Sequence, residues 1–378
     1  MGQSKKLLYI TRYSLDEEFN LKKKFDGQLS AFRNLGYDVY FIGFDRKNLY
    51  LVHNDEKTVC CKTHFGLPLY LHTFFYNDLH KASVKVIKEV GIDYVYWRSA
   101  PIFASSCKVA EAAKEVGAEL IVEIPTFPSD KENNLNGFRK AFSVYSDIYS
   151  DRYNALVDVY AVIGDDAHGE YKGRPAINID NGIDLKSIKV RNPQYEKNAV
   201  HILAVSAMRY WHGYDRLIKS IAAYKGDYNV FLHLVGGLDG ECTNEWKQLA
   251  ADSGVADKVI FHGYLYGDEL DRIADICDLG SASLRRNNYD HISELKTREY
   301  TARGLPFILS LKDAVFDNAK KGFCYLIPND GSIPEMDGIV DYALRTREDH
   351  ELISYMRKFA EQNLTWEIQY KKLFDKID

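Results

Sequence analysis

No apolar run in this chain of 378 residues approaches the roughly 20 residues that cross a bilayer. The start, Met1 to Lys6, is polar, and the apolar run behind it reaches only from Leu7 to Ile10. That is too short for the core of a secretion signal. Gly2 follows Met1, but Lys6 stands where a myristoylation pattern needs Ser or Thr. No Cys-x-x-Cys occurs among the six cysteines, Cys60, Cys61, Cys107, Cys242, Cys277 and Cys324. Without a signal or a metal-ligand spacing they read as reduced, mostly buried thiols of a cytoplasmic protein. Neither sign of charge dominates. Lys plus Arg is 49, Asp plus Glu is 54, and the net charge is −5. That balance argues against nucleic acid held over the whole surface, although a local basic patch is compatible with it. Compositional bias is missing too: 46% hydrophobic and 27% charged residues exclude disorder and fibrous repeats. At about 150 residues per domain the length allows two domains, or at most three.

What is present is an alternation of strand and helix. Leu7–Ile10, Val39–Ile42, Tyr94–Trp97 and Leu120–Val122 are short apolar strands. Helical spacing lies between them at Phe25, Leu29, Phe32 and Leu35, then at Leu79, Val86, Ile87 and Val90, then over Ala104–Val116. Gly36, Gly91 and Gly117 stand where these helices stop. Strands that are apolar on both faces predict a parallel sheet covered by helices. Asn181-Gly182-Ile183-Asp184 is a turn signal, and Arg191-Asn192-Pro193 is polar and irregular. The alternation then restarts, with strands at His201–Val205, Val230–Val235, Val259–Phe261, Leu279–Leu284 and Phe307–Leu309. The expected architecture is α/β: two doubly wound Rossmann-like domains facing a cleft. The first covers residues 1–185, the second 195–364, and a C-terminal helix, 365–378, is expected to pack back on the first. A cleft at the carboxyl ends of such strands is the default ligand site.

Three clusters could carry chemistry. In Ser293-Glu294-Leu295-Lys296-Thr297-Arg298-Glu299 a helix begins after a polar loop that holds Arg285 and Arg286. Ser293 reads as its N-cap. The free N–H groups of a helix start, with the helix dipole, attract an anion. Lys296 opposes that dipole unless an anion binds. A surface helix of mixed charge is the plainer alternative. The second cluster, Met208-Arg209-Tyr210-Trp211-His212-Gly213-Tyr214-Asp215, is a strand-end loop that would present Arg209 and His212. Alternatively Trp211 anchors the loop and Arg209 is merely solvated. The third, Val235-Gly236-Gly237, would let a ligand approach the backbone. Gly-x-Gly-x-x-Gly is absent, so the dinucleotide fingerprint is too. Asp165-Asp166-Ala167-His168 could chelate a metal but reads as a polar loop, and no metal site is expected.

Together these segments resemble the donor-binding half of GT-B glycosyltransferases, in particular the retaining family 4-like group. The resemblance runs through Leu203–Asp215, Val235–Gly237, Asp257–Gly263 and Glu299-x-x-x-x-Gly304-Leu305-Pro306, with Asn181–Asp184 as the interdomain signal. It is strongest from about 180 to 312. Lys22–Gln28 and Glu123-Ile124-Pro125-Thr126 resemble a bacterial subgroup that makes surface polysaccharides.

The resemblance implies transfer of a hexosyl unit from a nucleotide-diphosphate sugar to a glycan acceptor, lipid-linked, with retention of configuration. It implies no cofactor beyond the donor substrate and no nucleic-acid partner. Glu299 matches the acid that holds the ribose. The partner acid eight residues earlier is replaced by His291, beside Asp290. Arg209 and His212 match the basic pair on the diphosphate, with Lys296 or Arg285 sharing the charge. The donor side then comprises Arg209, His212, Gly236, Gly237, Ser293, Leu295, Lys296 and Glu299, and the catalytic set is Glu123, Arg209 and His291. Glu123 should end the strand Leu120–Val122 and project toward the acceptor, positioning its hydroxyl. The plainer reading is a carboxylate bonded to backbone N–H groups of the Pro125–Pro128 turn. Lys5, Lys6, Arg12 and Lys22–Lys24 would form a basic face for the inner membrane surface, against the alternative of an ordinary solvated surface. A nucleotide-sugar epimerase, or a two-lobed sugar-binding protein without chemistry, are the competing readings.

Overall fold

A computed structural model describes residues 4–15, 21–64, 72–127, 138–237, 242–285 and 292–377. The chain divides into two compact units, Met1–Gly182 with Trp366–Asp378, and Ile183–Thr365.

The first unit is built on a nine-stranded sheet in the order β4-β3-β2-β1-β5-β6-β7-β9-β8. Its strands are β1 (Lys6–Ser14), β2 (Asp38–Phe44), β3 (Asn48–His53), β4 (Glu56–Lys62), β5 (Tyr94–Arg98), β6 (Glu119–Phe127), β7 (Val159–Gly164), β8 (Glu170–Tyr171) and β9 (Arg174–Ile179). Helices α1 (Lys22–Asn34), α2 (His72–Val90), α3 (Ala104–Val116) and α4 (Phe138–Asn154) connect them. The core strands β2, β1, β5, β6, β7 and β9 are parallel. The edges depart from the expected all-parallel sheet, because β3 and β4 form an antiparallel hairpin on β2 and β8 runs antiparallel to β9. The hairpin turns at Asn54-Asp55, both with positive φ (48° and 64°). That is the geometry a two-residue connection between twisted strands demands.

Two of these facts shape the first unit's interior. The strand β1 pairs with β2 on one side and β5 on the other, so the chain reverses its winding direction there. An aromatic cluster covers the α1 face: Tyr9, Phe25, Phe32 and Tyr96 are all buried. The helix α11 (Trp366–Phe374) packs on α1 and β9. Its Tyr370 ring stacks on Phe32 with centroids 4.0 Å apart, a contact worth about 0.5–1.5 kcal/mol beyond the area it buries.

The second unit carries a six-stranded, wholly parallel sheet in the order β12-β11-β10-β13-β14-β15. Its strands are β10 (Ala199–Val205), β11 (Asn229–Val235), β12 (Val259–Gly263), β13 (Leu279–Ser281), β14 (Phe307–Leu309) and β15 (Cys324–Leu326). Helices α5 (Tyr214–Ala223), α6 (Thr243–Asp252), α7 (Asp268–Ile276), α8 (Leu295–Arg303), α9 (Met336–Glu348) and α10 (Leu352–Asn363) cover its faces. The strand β13 stops at Ser281, short of the expected Leu284, and the residues after it leave the sheet. Here the winding reverses at β10, which lies between β11 and β13. All six cysteines are unpaired thiols.

Candidate functional site

In the second unit the chain leaves β10 and β13 at neighbouring positions and in the same direction, because the two strands are parallel. Loops that follow two such strands at a reversal of strand order are forced apart and leave a crevice. The loop after β10 is held in shape from within. Met208 adopts a positive φ of 50°, its N–H bonded to Ser206 Oγ at 3.1 Å. His212 is buried, and its Nδ1 accepts the Arg209 N–H at 3.1 Å. The same loop is stitched to the segment after β13, with Leu284 N–H donating to the His212 carbonyl and Arg285 N–H to the Trp211 carbonyl. Gly213 sits at this crossing with φ +65°, where an added Cβ would lie 3.1 Å from the Leu284 backbone.

This geometry reassigns several residues. The Nδ1 lone pair of His212 is taken by that backbone N–H, which leaves Nε2 as the ring atom able to donate to a ligand. Arg209 is exposed. Trp211 is 42% exposed and does not anchor the loop; buried Met208 and Tyr214 do. Arg285 does not stand ready to share ligand charge. It forms a two-pronged ion pair with Asp215 at 2.9 and 2.8 Å and lies over the Tyr210 ring at 4.2 Å.

The helix α8 starts one residue later than expected. Its N-cap is Glu294, not Ser293. The Glu294 side chain makes no cap hydrogen bond to its own helix; Oε2 accepts the Ser283 N–H at 2.9 Å instead. Lys296, in the first turn, directs Nζ to Tyr214 Oη and Ser283 Oγ, both at 3.3 Å, and lies 3.7 Å from Glu294 Oε2. Burial, and then the Glu294 charge, raise the Tyr214 phenol far above its ordinary value, so it stays a neutral hydroxyl. Sequence reasoning missed Glu294, Ser283 and Tyr214. For Glu294 the signal was there: an acid directly before a helix start that carries a lysine in its first turn.

Glu299 lies in the second turn of α8, partly exposed, accepting from Arg303 Nη2 at 3.0 Å and Nε at 3.2 Å. Arg303 also pairs with Asp271. Leu295 opens the helix. Gly236 is needed for a reason other than ligand approach: an added Cβ would sit 1.8 Å from the Ser206 carbonyl oxygen, at φ +147°. Its tight neighbour is the β10 loop. The Gly237 carbonyl accepts from Thr243 Oγ1 at 3.2 Å. His291, with Asp290 and Arg286, lies outside the described residues.

Glu123 belongs to the first unit and differs most from expectation. It sits in the middle of β6, not at its end, and is 0% exposed. No turn N–H holds it. Gln28 Nε2 donates to Oε2 at 2.7 Å, Tyr96 Oη donates to the same oxygen at 2.8 Å, Arg98 Nη1 reaches Oε1, and Lys24 Nζ lies 3.6 Å from Oε1. Burial alone would raise its pKa; the Lys24 and Arg98 charges and the two hydrogen bonds outweigh that and hold it below the ordinary carboxylate range. Lys24, bonded to Asn181 Oδ1 at 2.8 Å, is itself pushed down to about 8 by burial.

The six basic residues taken as one face are not one. Lys5 and Lys6 precede or open β1, bonding Tyr94 Oη and the Val90 carbonyl, whereas Lys22–Lys24 lie beyond its far end and Lys24 is buried. Asp165–His168 is a loop after β7 in which Asp166 Oδ1 accepts the His168 N–H at 2.8 Å. Among the described residues no group of three or more His, Cys, Asp or Glu side chains is placed to hold a metal ion. Among them, too, no helix is long and apolar enough to cross a membrane.

Comparison with known proteins matches residues 187–359 to the family described as Glycosyl transferases group 1. That match spans nearly all of the second unit. Solved structures resemble the whole chain. Sucrose-phosphate synthase from Thermosynechococcus elongatus superposes with a TM-score of 0.71 at 13% identity, covering 99% of both chains. A glycosyltransferase from Rickettsia africae ESF-5 gives 0.67 at 15% identity, covering 99% of this chain and 98% of that one. Anabaena Alr3699/HepE in complex with UDP-glucose gives 0.62 at 14% identity, covering 98% and 99%. No curated protein sequence matches. The fold is that of GT-B glycosyltransferases. In the second unit, the helix start that carries Lys296 lies against the segments that follow β10 and β13, through Tyr214 and Ser283.

Proposed function

We propose that this protein transfers a hexosyl unit from a nucleotide-diphosphate sugar to a glycan acceptor, lipid-linked, with retention of configuration. The observation that carries the reading is the lysine-bearing helix start at the strand reversal of the second unit. Lys296 is held there by neutral oxygens, Tyr214 Oη and Ser283 Oγ, and shares one carboxylate, Glu294. Breaking the sugar–diphosphate bond places negative charge on the leaving oxygen. A cation and the positive end of α8 stabilise charge that develops at that point. Arg209, exposed at the rim of the same loop, adds a second cation. Glu299, poised on Arg303, is assigned to the ribose hydroxyls.

The acceptor oxygen attacks the anomeric carbon on the face the diphosphate leaves, and the acceptor's proton passes to the departing phosphate oxygen. The donor is substrate, and no resident cofactor is assigned. Titration calorimetry against UDP, GDP, ADP and TDP, followed by a nucleotide-sugar screen with mass detection, tests it. One nucleoside diphosphate should bind and one sugar should be transferred, with the donor's anomeric configuration kept by NMR. Binding of none of the four overturns the glycosyltransferase assignment. An inverted product overturns retention alone, and interconversion of the donor sugar without transfer would make the protein an epimerase.

A further inference from the structure

Cys60 and Cys61 are consecutive residues of β4, and plain alternation would send their thiols to opposite faces of the sheet. A β-bulge prevents that. Opposed residues of an antiparallel pair share a face. Leu51 opposes Thr58 and Tyr50 opposes Val59, but Leu49 opposes Cys61, so β4 holds one residue more than β3 at that step. Two residues on from Thr58, Cys60 returns to the face of Leu51; Cys61 takes the face of Leu49, which is the same one. Two residues set against one is a bulge, and a bulge re-aims a side chain. Leu49 is fully buried in the core of the first unit, and Cys60 and Cys61 both pack against that core. Both stay partly exposed. From this juxtaposition we propose that Cys60 and Cys61 form a dithiolate site for a soft, two-coordinate cation, monovalent copper.

The donor set selects the ion. Thiolates favour soft metals, copper(I) and zinc among them. A structural zinc ion takes four ligands. Among the described residues no three His, Cys, Asp or Glu side chains converge on one point, and residues 65–71, next after β4, contain none of these four types. Nearby His64 is turned to Asp78 Oδ2, with Nδ1 at 2.6 Å. Copper(I), with a filled d shell, is satisfied by two sulfurs. A direct bond between the two thiols is the poorer outcome. Consecutive Cα atoms stand about 3.8 Å apart, below the roughly 4.4–6.8 Å of ordinary disulfides, whereas a bridging ion leaves the backbone where it is.

The helix α2 lies across β3 and β4 and sets the charge around the pair. Burial raises both thiols above their ordinary range, and Asp78 adds to the rise at Cys61; Lys85 beside Cys60 and Lys81 beside Cys61 pull the other way. The two lysines are four residues apart and so neighbours on one helix face. Thiolate, not thiol, is the ligand, so the ion displaces both protons. Two thiols and one Cu⁺ give a bis-thiolate complex of charge −1 and two protons released to solvent, with no change of oxidation state. The lysines favour that anion. The site owes nothing to the glycosyltransferase reading and stands or falls separately from it.

Anaerobic competition for Cu(I) between the full chain and bicinchoninate, a chromogenic copper(I) chelator, tests the site. The chain should withdraw copper from the chelator, and an equal concentration of Zn(II) should not displace it. Bound Cu(I) should shield Cys60 and Cys61 together from N-ethylmaleimide, read as the mass of the peptide that holds both. Cys60→Ser and Cys61→Ser should each weaken binding by more than the roughly 10–100-fold that a lost supporting contact costs. Cys324→Ser, which removes the other partly exposed thiol, should leave it unchanged. Should a Cys60 or Cys61 variant fail to fold, shielding in the wild-type chain decides alone. No withdrawal of copper, displacement by zinc, shielding of one thiol of the pair or of neither, or wild-type affinity in either Cys60→Ser or Cys61→Ser overturns the proposal.

Discussion

Replacing His80 with phenylalanine should make the first unit more resistant to acid, and the size of the effect follows from how the ring is buried. His80 is 1% exposed. Its Nδ1 meets Ser105 Oγ at 2.8 Å, and its Nε2 is buried with no hydrogen-bond partner. Trp97 packs edge-on at 5.1 Å, with Tyr76 and Phe103 beyond. Burial alone pushes its pKa down to about 3, because a second N–H would point into apolar surroundings. The unfolded ring titrates near 6.5. With the folded pKa depressed, the unfolded chain binds the proton, and stability falls as pH drops below about 6.5. At pH 5 the unfolded imidazole is protonated by about thirty to one, which costs the folded state about 2 kcal/mol relative to pH 7.

Urea unfolding at pH 7 and pH 5, read by pulsed hydrogen exchange at peptides covering α2 and β5, measures that difference. At a urea m-value of about 1–3 kcal/mol/M the His80 contribution moves the wild-type midpoint by about 0.7–2 M between the two pH values, and the His80→Phe midpoint should move by that much less. An equal pH dependence in the two proteins would refute the reasoning, and His80 would then be protonated or solvated in the folded state. In the second unit His233 is pushed down to about 3 by burial and by His201 and His262. Peptides from β10 and β11 should therefore keep their acid sensitivity in the His80 variant.

Lys296→Met, which keeps the side-chain length without the charge, should weaken nucleoside diphosphate binding by about 1.5–3 kcal/mol, the worth of a charge-assisted hydrogen bond, with the urea midpoint little changed; calorimetry checks it, and unaltered affinity removes Lys296 from the donor site. Gly236→Ala should cost at least about 1–3 kcal/mol of stability, since its Cβ would lie 1.8 Å from the Ser206 carbonyl oxygen; a urea midpoint equal to wild type would show that the β10 loop can yield.

Local pattern determined the α/β class. Leu7–Ile10, Val39–Ile42, Tyr94–Trp97 and Leu120–Val122 are short apolar runs because both faces of their sheet are covered, and α1, α2 and α3 announce themselves by spacing within a few residues. Gly117 and Gly304 stand at the ends of α3 and α8 as the sequence indicated. The β3–β4 hairpin was legible in principle from Asn54-Asp55, but the signal is only two residues long. The site was legible as three segments and not as partnerships. That Arg285 is spent on Asp215 is a pairing across 70 residues, and Gln28 reaches Glu123 across 95. No periodicity reports such pairs, because they form only when strands and helices distant in the chain are packed. The same holds for Gly236, whose neighbour is the Ser206 carbonyl. Sequence alone marked Glu123 as a charged residue at the end of an apolar strand. Tertiary structure decided that it would be buried among Lys24, Arg98, Gln28 and Tyr96, because a buried carboxylate persists only where cations and donors converge on it.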